Sequence, residues 1–172
     1  MTPREILQTP RLRLRELTDA DAPFIFELLN ERSFIDNIGD RGVRTLDDAV
    51  GYIHKGPGDS YARHGYGLWL VELKASGEAL GVCGLMHRDT LPYTDIGYAF
   101  LPRHWSRGYA VESCAAVRDH ALRTLAMPRL LAIVSPGNEA SVKVLERIGL
   151  RFEGKVTLPQ ANEELELYAI DA

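Results

Sequence analysis

Residues 100–113 read FLPRHWSRGYAVES, and they join a strand-like segment to a helix-like one. The preceding residues, Asp95-Ile-Gly-Tyr-Ala99, are extended and largely apolar, whereas residues 111–125 have the pattern of a helix. The helix is expected to begin near Arg107-Gly108-Tyr109-Ala110, although helix N-termini favour acidic residues because their free N–H groups carry partial positive charge. Gly108 permits the close approach of a bulky group. The stretch therefore indicates a phosphate or pyrophosphate seat, and a plain turn with a solvated arginine is the alternative.

A second strand-to-helix junction lies further along the chain. Leu130-Leu-Ala-Ile-Val134 predicts a short buried strand, Ser135-Pro-Gly-Asn138 follows it, and Ser141 lies one helical turn after Asn138. A neighbouring parallel strand would bring this junction beside the first one. Taken singly, Asn138 is typical of a helix N-cap and Ser141 of a surface hydroxyl. The motifs GxGxxG after the first strand and GxxxxGK[ST] are both absent from the sequence, which excludes a dinucleotide-fold or P-loop seat.

The order of elements around these junctions is β-α-α-β-β-β-α-β-α-β-β. Capping patterns at Thr18 and Thr45 predict the first two helices; residues 30–44 predict a loop or short turns, and Gly56-Pro-Gly58 is expected to end the second helix. The strand-helix-strand segment at 94–134 predicts a right-handed parallel unit within an otherwise antiparallel sheet. The other strands are expected at 11–16, 68–73, 79–86, 151–156 and 164–170, and the last helix at 138–148. The pattern predicts one α/β domain.

The composition is that of an ordinary globular protein. The chain has 172 residues, 45% of them hydrophobic, and 20 basic against 24 acidic residues give a net charge of −4, which does not indicate nucleic-acid binding. No apolar run approaches the ~20 residues that span a bilayer, and the N-terminus does not have the pattern of a signal peptide, so we expect a cytoplasmic protein without membrane contact. Cys83 and Cys114 lack CxxC spacing and are expected in the core.

The two junctions together resemble those of the GNAT superfamily of N-acetyltransferases. Ile96-Gly-Tyr-Ala-Phe-Leu101, Trp105-Ser-Arg-Gly-Tyr-Ala110 with Glu112, Asn138-Glu-Ala-Ser141 and Leu145-Glu-Arg-Ile-Gly149 match that family in order and spacing. The opening Thr9-Pro-Arg-Leu-Arg-Leu-Arg15 resembles the Rim-type branch, whose enzymes acetylate the N-termini of ribosomal proteins. The resemblance covers residues 8–172 as a single domain.

This resemblance implies a fold, a co-substrate and a set of contacts. The fold is a mixed α/β (α+β) sheet of about seven strands flanked by about four helices, in which the strands at 94–100 and 130–134 splay apart to form a cleft. The pantetheine arm of acetyl-CoA would lie in the cleft like an extra strand, with no metal. Backbone groups of Ala99, Phe100 and Leu101 would pair with this arm, Asn138 and Ser141 would contact acetyl-CoA, and the pyrophosphate would meet the N–H groups of Ser106, Arg107, Gly108, Tyr109 and Ala110.

Two positions depart from the family pattern. Trp105 stands where the motif often has Gln or Arg, although Arg107 keeps a charge nearby, and Leu145 stands where many members carry a tyrosine as general acid. In this family the amine attacks the thioester directly. Ser141, or water held by it, is then the predicted proton donor to the leaving thiolate. Asp95 is the favoured base, with His87 second and Glu72 third, and a solvated structural carboxylate or histidine is the alternative for each.

The acceptor is expected to contact the loop at residues 31–45. Asp40, Arg41 and Arg44 form a plausible clamp for a carboxylate or a peptide end, or else a solvated turn. The acceptor could be a protein N-terminus or a small amine, and the protein a monomer or a homodimer. A catalytically inactive acyl-CoA-binding sensor or scaffold is the alternative function, and an interaction domain without CoA is a third.

Overall fold

A parallel pair of strands lies within an otherwise antiparallel sheet. The computed structural model describes residues 3–159 and 163–172, and within these ranges eight strands form one sheet in the order β1-β2-β3-β4-β5-β6-β8-β7. β5 and β6 are parallel, so the chain must cross over between them, and it does so through helix α5 (Tyr109–Asp119). The strands are β1 (Glu5–Gln8), β2 (Leu12–Arg15), β3 (Leu68–Leu73), β4 (Ala79–Met86), β5 (Asp95–Phe100), β6 (Arg129–Val134), β7 (Arg151–Val156) and β8 (Leu165–Asp171).

Helices cover both faces of the sheet. In the described residues they are α1 (Ala22–Leu29), α2 (Arg32–Asn37), α3 (Leu46–Ile53), α4 (Asp59–His64), α5 (Tyr109–Asp119) and α6 (Glu139–Arg147). The larger apolar cluster joins side chains of β3, β4 and β5 to α5 and α6, and it includes Trp69, Ile96 and Leu145. A second cluster joins Leu70 and Val82 of the opposite sheet face to α1 and α3. None of these helices is long and apolar enough to cross a bilayer.

The local signals in the sequence account for much of this order. The predicted cap of α3 forms, since the Asp48 N–H donates to Thr45 Oγ1 at 3.0 Å and the Thr45 N–H donates to Asp48 Oδ2 at 3.2 Å. Cys83 and Cys114 are both buried in the core as expected, with 3.7 Å between their sulfurs.

The structure corrects the prediction at three places. β1 is an additional edge strand, and its four residues are too few to show alternation. Helix α2 lies within the predicted loop. The sequence did not indicate it, because only Phe34 of its six residues is buried and the helix has no apolar stripe. Gly56-Pro57-Gly58 does not end the second helix. The chain passes through them in a wide π-type turn over His54–Gly58 and continues into α4, because such a turn accommodates the missing N–H of Pro57.

Candidate active site

The parallel strands β5 and β6 separate after a single point of pairing. Asp95 is in register with Leu131, whose N–H donates to the Thr94 carbonyl oxygen at 2.9 Å, and beyond this point β6 pairs along its length with β8. The inner edge of β5 therefore has no strand partner among the described residues from Gly97 onward. The two strands enclose a V-shaped cleft that opens toward the starts of α5 and α6.

Backbone alternation decides which residues of β5 face this cleft. The Leu101 N–H donates to the Leu80 carbonyl at 3.1 Å, and its carbonyl accepts from His104 at 2.9 Å, so both of its backbone groups are already paired. Since antiparallel residues alternate between the two edges of a strand, Ala99 also turns toward β4, while Tyr98 and Phe100 turn their N–H groups toward the cleft. These directions contradict the expected pairing of the Leu101 and Ala99 backbone with the pantetheine arm. They leave the Tyr98 N–H, for which no contact was expected, facing the cleft.

The hydrogen bond of the Trp105 side chain accounts for a tryptophan at the position where the family motif often has Gln or Arg. Its indole Nε1 donates to the Phe100 carbonyl oxygen at 2.9 Å, although half of the side chain is exposed to solvent. This bond closes the connection between β5 and α5 and satisfies a carbonyl that would otherwise face the cleft. Trp105 thus stabilises the connection between β5 and α5, and the positive charge beside this connection comes from arginine side chains.

The turn after Trp105 presents a row of unpaired N–H groups. Ser106 and Gly108 have φ values of +63° and +82°, and this left-handed backbone turns successive amides toward one side. The N–H groups from Ser106 to Ala110 have no acceptor within residues 3–159 and 163–172. The last two belong to the first turn of α5, where helix N–H groups are free and the helix dipole adds positive charge. The arrangement suits an anion with several oxygens.

Arg11 holds this turn in place from the first predicted strand. Its Nε donates to Glu112 Oε1 at 2.7 Å and its Nη1 to the Arg107 carbonyl at 3.0 Å, while the guanidinium lies 4.6 Å from the centre of the Tyr109 ring. Thr9 Oγ1 also donates to Glu112. Burial acts to raise the pKa of Glu112, but the hydrogen bonds from Thr9 and Arg11 outweigh it, and the pKa is lowered. The sequence showed Thr9 and Arg11 only as part of a family-like opening motif.

The second junction places Asn138 and Ser141 on the other side of the cleft. The Ser141 N–H donates to Asn138 Oδ1 at 3.3 Å, which is the N-cap bond of α6. The Tyr98 hydroxyl, reaching from β5, donates to Ser141 Oγ at 3.0 Å. Burial raises the pKa of Tyr98 above its ordinary value. Sequence reasoning assigned no role to the Tyr98 side chain, since the contact spans two elements that only the fold brings together.

Asp95 lies at the closed end of the cleft. Its side chain is 1% exposed and accepts a hydrogen bond from Arg88 Nε at 3.1 Å. Burial raises the pKa of Asp95 to about 6, against the opposing effect of Arg88. Alternation along β5 puts this carboxyl on the same sheet face as Ala99, which packs on the cluster of α1 and α3. A carboxyl with such a pKa can accept a proton near neutral pH.

The other two candidate bases have different surroundings. The His87 side chain is 45% exposed and lies beside the His64 ring, with its Nε2 3.5 Å from Asp89. Glu72 forms ion pairs with Arg13 at 3.5 Å and Arg15 at 3.3 Å, and β4 lies between it and β5. β4 therefore separates Glu72 from the cleft, whereas His87 directly follows Met86, the β4 residue that pairs with Asp95.

The segment between α1 and α3 lies against the second junction. Ser135 Oγ donates to the Asn37 carbonyl at 3.2 Å, which ties the end of α2 to the chain after β6. The Arg44 guanidinium and the Asp40 carboxylate form an exposed ion pair at 2.5 Å, so the charge of each is largely neutralised by the other. Arg41 has no ion-pair partner in the described part of the chain, and its charge opposes the burial that raises the pKa of Tyr52.

Comparisons with known proteins all identify acetyltransferases as similar to this chain. A family model described as an acetyltransferase (GNAT) domain matches residues 11–151. The chain is 30% identical over 154 residues to YoaA, an uncharacterised N-acetyltransferase of Bacillus subtilis (strain 168), with 87% of this chain and 84% of YoaA covered. An acetyltransferase structure from Agrobacterium tumefaciens str. C58 superposes with a TM-score of 0.83 at 30% identity, covering 100% of this chain and 96% of that one.

A more distant structure shares the fold. RimL, a ribosomal L7/L12 α-N-protein acetyltransferase solved in complex with coenzyme A, superposes with a TM-score of 0.83 at 19% identity, covering 98% of both chains. At this identity the likeness concerns the arrangement of the backbone, since one fold carries many different acceptor sites.

Proposed function

Because this chain belongs to the GNAT acetyltransferase family, we propose that it transfers the acetyl group of acetyl-CoA to a primary amine by direct attack of the amine on the thioester. The observation that carries the proposal is the combination of an unpaired β5 edge with unpaired amides at its end. The Tyr98 and Phe100 N–H groups face the cleft, and the N–H groups of residues 106–110 follow directly after them. Pantetheine carries amides that can pair with a strand edge, and the pyrophosphate of CoA requires anion donors.

The positions of these residues define one orientation for acetyl-CoA in the cleft. The pyrophosphate lies at the Ser106–Ala110 turn, pantetheine runs along β5 past Phe100 and Tyr98, and the thioester reaches the narrow end of the cleft. Asn138 and Ser141 face it from α6. Support comes from the left-handed backbone at Gly108, where an added Cβ would lie 3.3 Å from Nη2 of Arg11, the residue that supports the turn.

The proposed chemistry needs a base and a donor to sulfur. The amine nitrogen forms a bond to the acetyl carbon, the carbon–sulfur bond breaks with its electron pair on sulfur, the amine loses one proton and the sulfur gains one. We assign the base to Asp95, directly or through water, with His87 as the second candidate. Ser141 is the donor to the sulfur. Backbone N–H groups of β5 stabilise the oxyanion that forms during attack.

The acceptor side is assigned to residues 31–45. Arg41 is the residue there with charge available for a carboxylate or peptide end, while Asp40 and Arg44 shape the loop through their ion pair. The acceptor itself is a protein N-terminus or a small-molecule amine.

The test is release of CoA thiol from acetyl-CoA with a panel of amines and N-terminal peptides. We expect acetyl-CoA to bind and thiol release to depend on one class of acceptor. Binding without release for every member of a broad panel would contradict the transferase proposal, and absence of binding would contradict CoA recognition itself.

A further inference from the structure

A hydrogen bond between Tyr98 and Ser141 crosses the cleft. Tyr98 lies on β5 and Ser141 in the first turn of α6, so the 3.0 Å bond joins the two elements between which the thioester is proposed to lie. Tyr98 packs on the same apolar cluster as Leu145, one turn beyond Ser141, and Leu145 is 2% exposed. The helix position that carries tyrosine in many family members is thus filled by a core leucine, and a phenol reaches α6 from β5 instead.

The direction of this bond determines what Ser141 can do. A serine hydroxyl carries one hydrogen and accepts through its lone pairs. Because Ser141 Oγ accepts from the Tyr98 hydroxyl, and the Ser141 N–H is used by Asn138, the serine hydrogen remains available for another acceptor. The phenol is protonated at neutral pH, and the raised pKa of Tyr98 keeps it a donor at alkaline pH as well. A free serine hydroxyl would instead rotate among several acceptors.

We propose that Tyr98 is a positioning residue for acetyl transfer, which holds the Ser141 hydroxyl as a hydrogen-bond donor to the thioester sulfur. The inference rests on the proposed function. As the carbon–sulfur bond breaks and its electron pair moves to sulfur, the Ser141 hydrogen meets the developing thiolate. Sulfur takes that proton, the serine oxygen regains one from water, and the proton lost by the amine restores the balance. No bond to Tyr98 is made or broken.

The first test is a double-mutant cycle of Tyr98→Phe and Ser141→Ala, measured by thiol release with the fastest acceptor of the panel. We expect Tyr98→Phe to lower kcat about fivefold to tenfold, the effect of one hydrogen bond, with the KM for acetyl-CoA changed less than about twofold. The double variant should be no slower than Ser141→Ala, because Tyr98 acts through Ser141. Tyr168→Phe is the matched control, since it removes the hydroxyl of another core tyrosine, one that contacts Glu166 instead.

The second test needs no acceptor. The thiol of bound CoA can be titrated by ultraviolet absorbance of its thiolate, as a difference between protein with and without CoA. A donor at sulfur lowers the thiol pKa, so we expect the thiol to titrate at higher pH in both Tyr98→Phe and Ser141→Ala than in the wild-type complex. Wild-type kcat and an unshifted thiol titration in Tyr98→Phe, or fully multiplicative effects in the cycle, would overturn the inference. Failure of wild-type protein to bind CoA would overturn the proposed function together with it.

Discussion

At the scale of single residues, Gly108 has a conformation and a position that suit the proposed anion seat. Its φ of +82° is left-handed, and an added Cβ would lie 3.3 Å from Arg11 Nη2. Asparagine tolerates this conformation far better than a β-branched residue does. Position 108 therefore requires a residue that tolerates a left-handed backbone and one that has no side chain. Substitution by asparagine tests the second requirement alone, whereas substitution by valine tests both.

We expect Gly108→Asn and Gly108→Val both to weaken CoA binding, because either side chain crowds Arg11, which supports the turn that carries the amides. Loss of two charge-assisted hydrogen bonds lowers affinity by about 100-fold or more. Only the valine variant should also lose stability, by about 1–2 kcal/mol from backbone strain. Calorimetric titration and thermal unfolding measure the two effects. Gly65→Asn is the control, since Gly65 has a φ of +78° in open space at the end of α4. A folded Gly108→Asn protein with wild-type affinity would refute the seat.

Asp95 is a residue whose proposed role in catalysis has a cost in stability. Its folded pKa is about 6, above the ordinary 3.8, so between these values the folded state binds more protons than the unfolded state. The stabilising contribution of the neutral carboxyl is therefore present below about pH 4 and is lost as the pH rises through about 6. Above that pH the fold contains a buried charge that Arg88 compensates only in part.

We expect Asp95→Asn to gain stability relative to wild type by about 2–3 kcal/mol as the pH rises from 4 to 7, by the linkage of pKa to folding. Denaturant unfolding at a series of pH values measures this difference. The same variant should lose kcat/KM by about 10²–10⁴-fold if Asp95 is the base. Asp89→Asn is the control, because that carboxylate is 98% exposed. Parallel pH profiles for wild type and variant would show that Asp95 ionises normally, and a shift of the kinetic limb by His87→Gln alone would transfer the role of base to His87.

At the scale of secondary-structure elements, the start of β2 and the start of α5 depend on each other. Arg11 contacts both the Glu112 carboxylate and the Arg107 carbonyl, and Thr9 donates to the same carboxylate. A helix whose first turn carries free amides toward a ligand needs such a support, because those amides supply no bonds that would order the turn. The network therefore orders the turn that forms the proposed anion seat.

We expect Arg11→Gln to weaken CoA affinity about fivefold to tenfold, since one charge-assisted bond to the turn is lost. Arg13→Gln is the matched control two residues further along the chain. Arg13 pairs with Glu5 and Glu72, far from the turn, so its substitution should leave CoA affinity unchanged. Equal effects of the two substitutions on affinity, measured by calorimetric titration, would show that the Arg11 network stabilises the protein without organising the seat.

At the scale of the whole molecule, the cleft is a gap in a continuous sheet. Strands β1–β5 form one half of the sheet and β6, β8 and β7 form the other, and between strands the two halves pair only at Asp95 and Leu131 in the described residues. The larger apolar cluster packs beneath both halves. A ligand that pairs with the open edge of β5 would join the halves.

We expect saturating CoA to raise the unfolding temperature of the whole domain. At 100 times its Kd a ligand adds about 2.7 kcal/mol to the unfolding free energy, which corresponds to roughly 5–10 °C for a chain of this size. Amide hydrogen exchange should slow in β5, in residues 105–110 and at the start of α6, with β1 as an internal control. An unchanged melting temperature at high CoA concentration would contradict the proposed seat.

The sequence by itself determined the elements whose signals are local. Thr45 and Asp48 lie three residues apart and form their cap within one turn. The glycine and arginine before Tyr109 likewise marked the start of α5 within a few residues. The order of β5, α5 and β6 implied a parallel pair, because parallel strands need a crossover. The family-like motifs then predicted the GNAT fold, which the comparisons confirm.

Tertiary structure decided everything that depends on distant segments meeting. Arg11 and Glu112 are 101 residues apart, and Tyr98 and Ser141 are 43 residues apart. No periodicity in the sequence encodes those contacts. The register of β5 on β4 decided that Tyr98 and Phe100 face the cleft, since a shift of one residue exchanges the two edges of the strand. The buried surroundings that raise the pKa of Asp95 also form only when the sheet closes around it, because desolvation requires the packed neighbours that an isolated strand lacks.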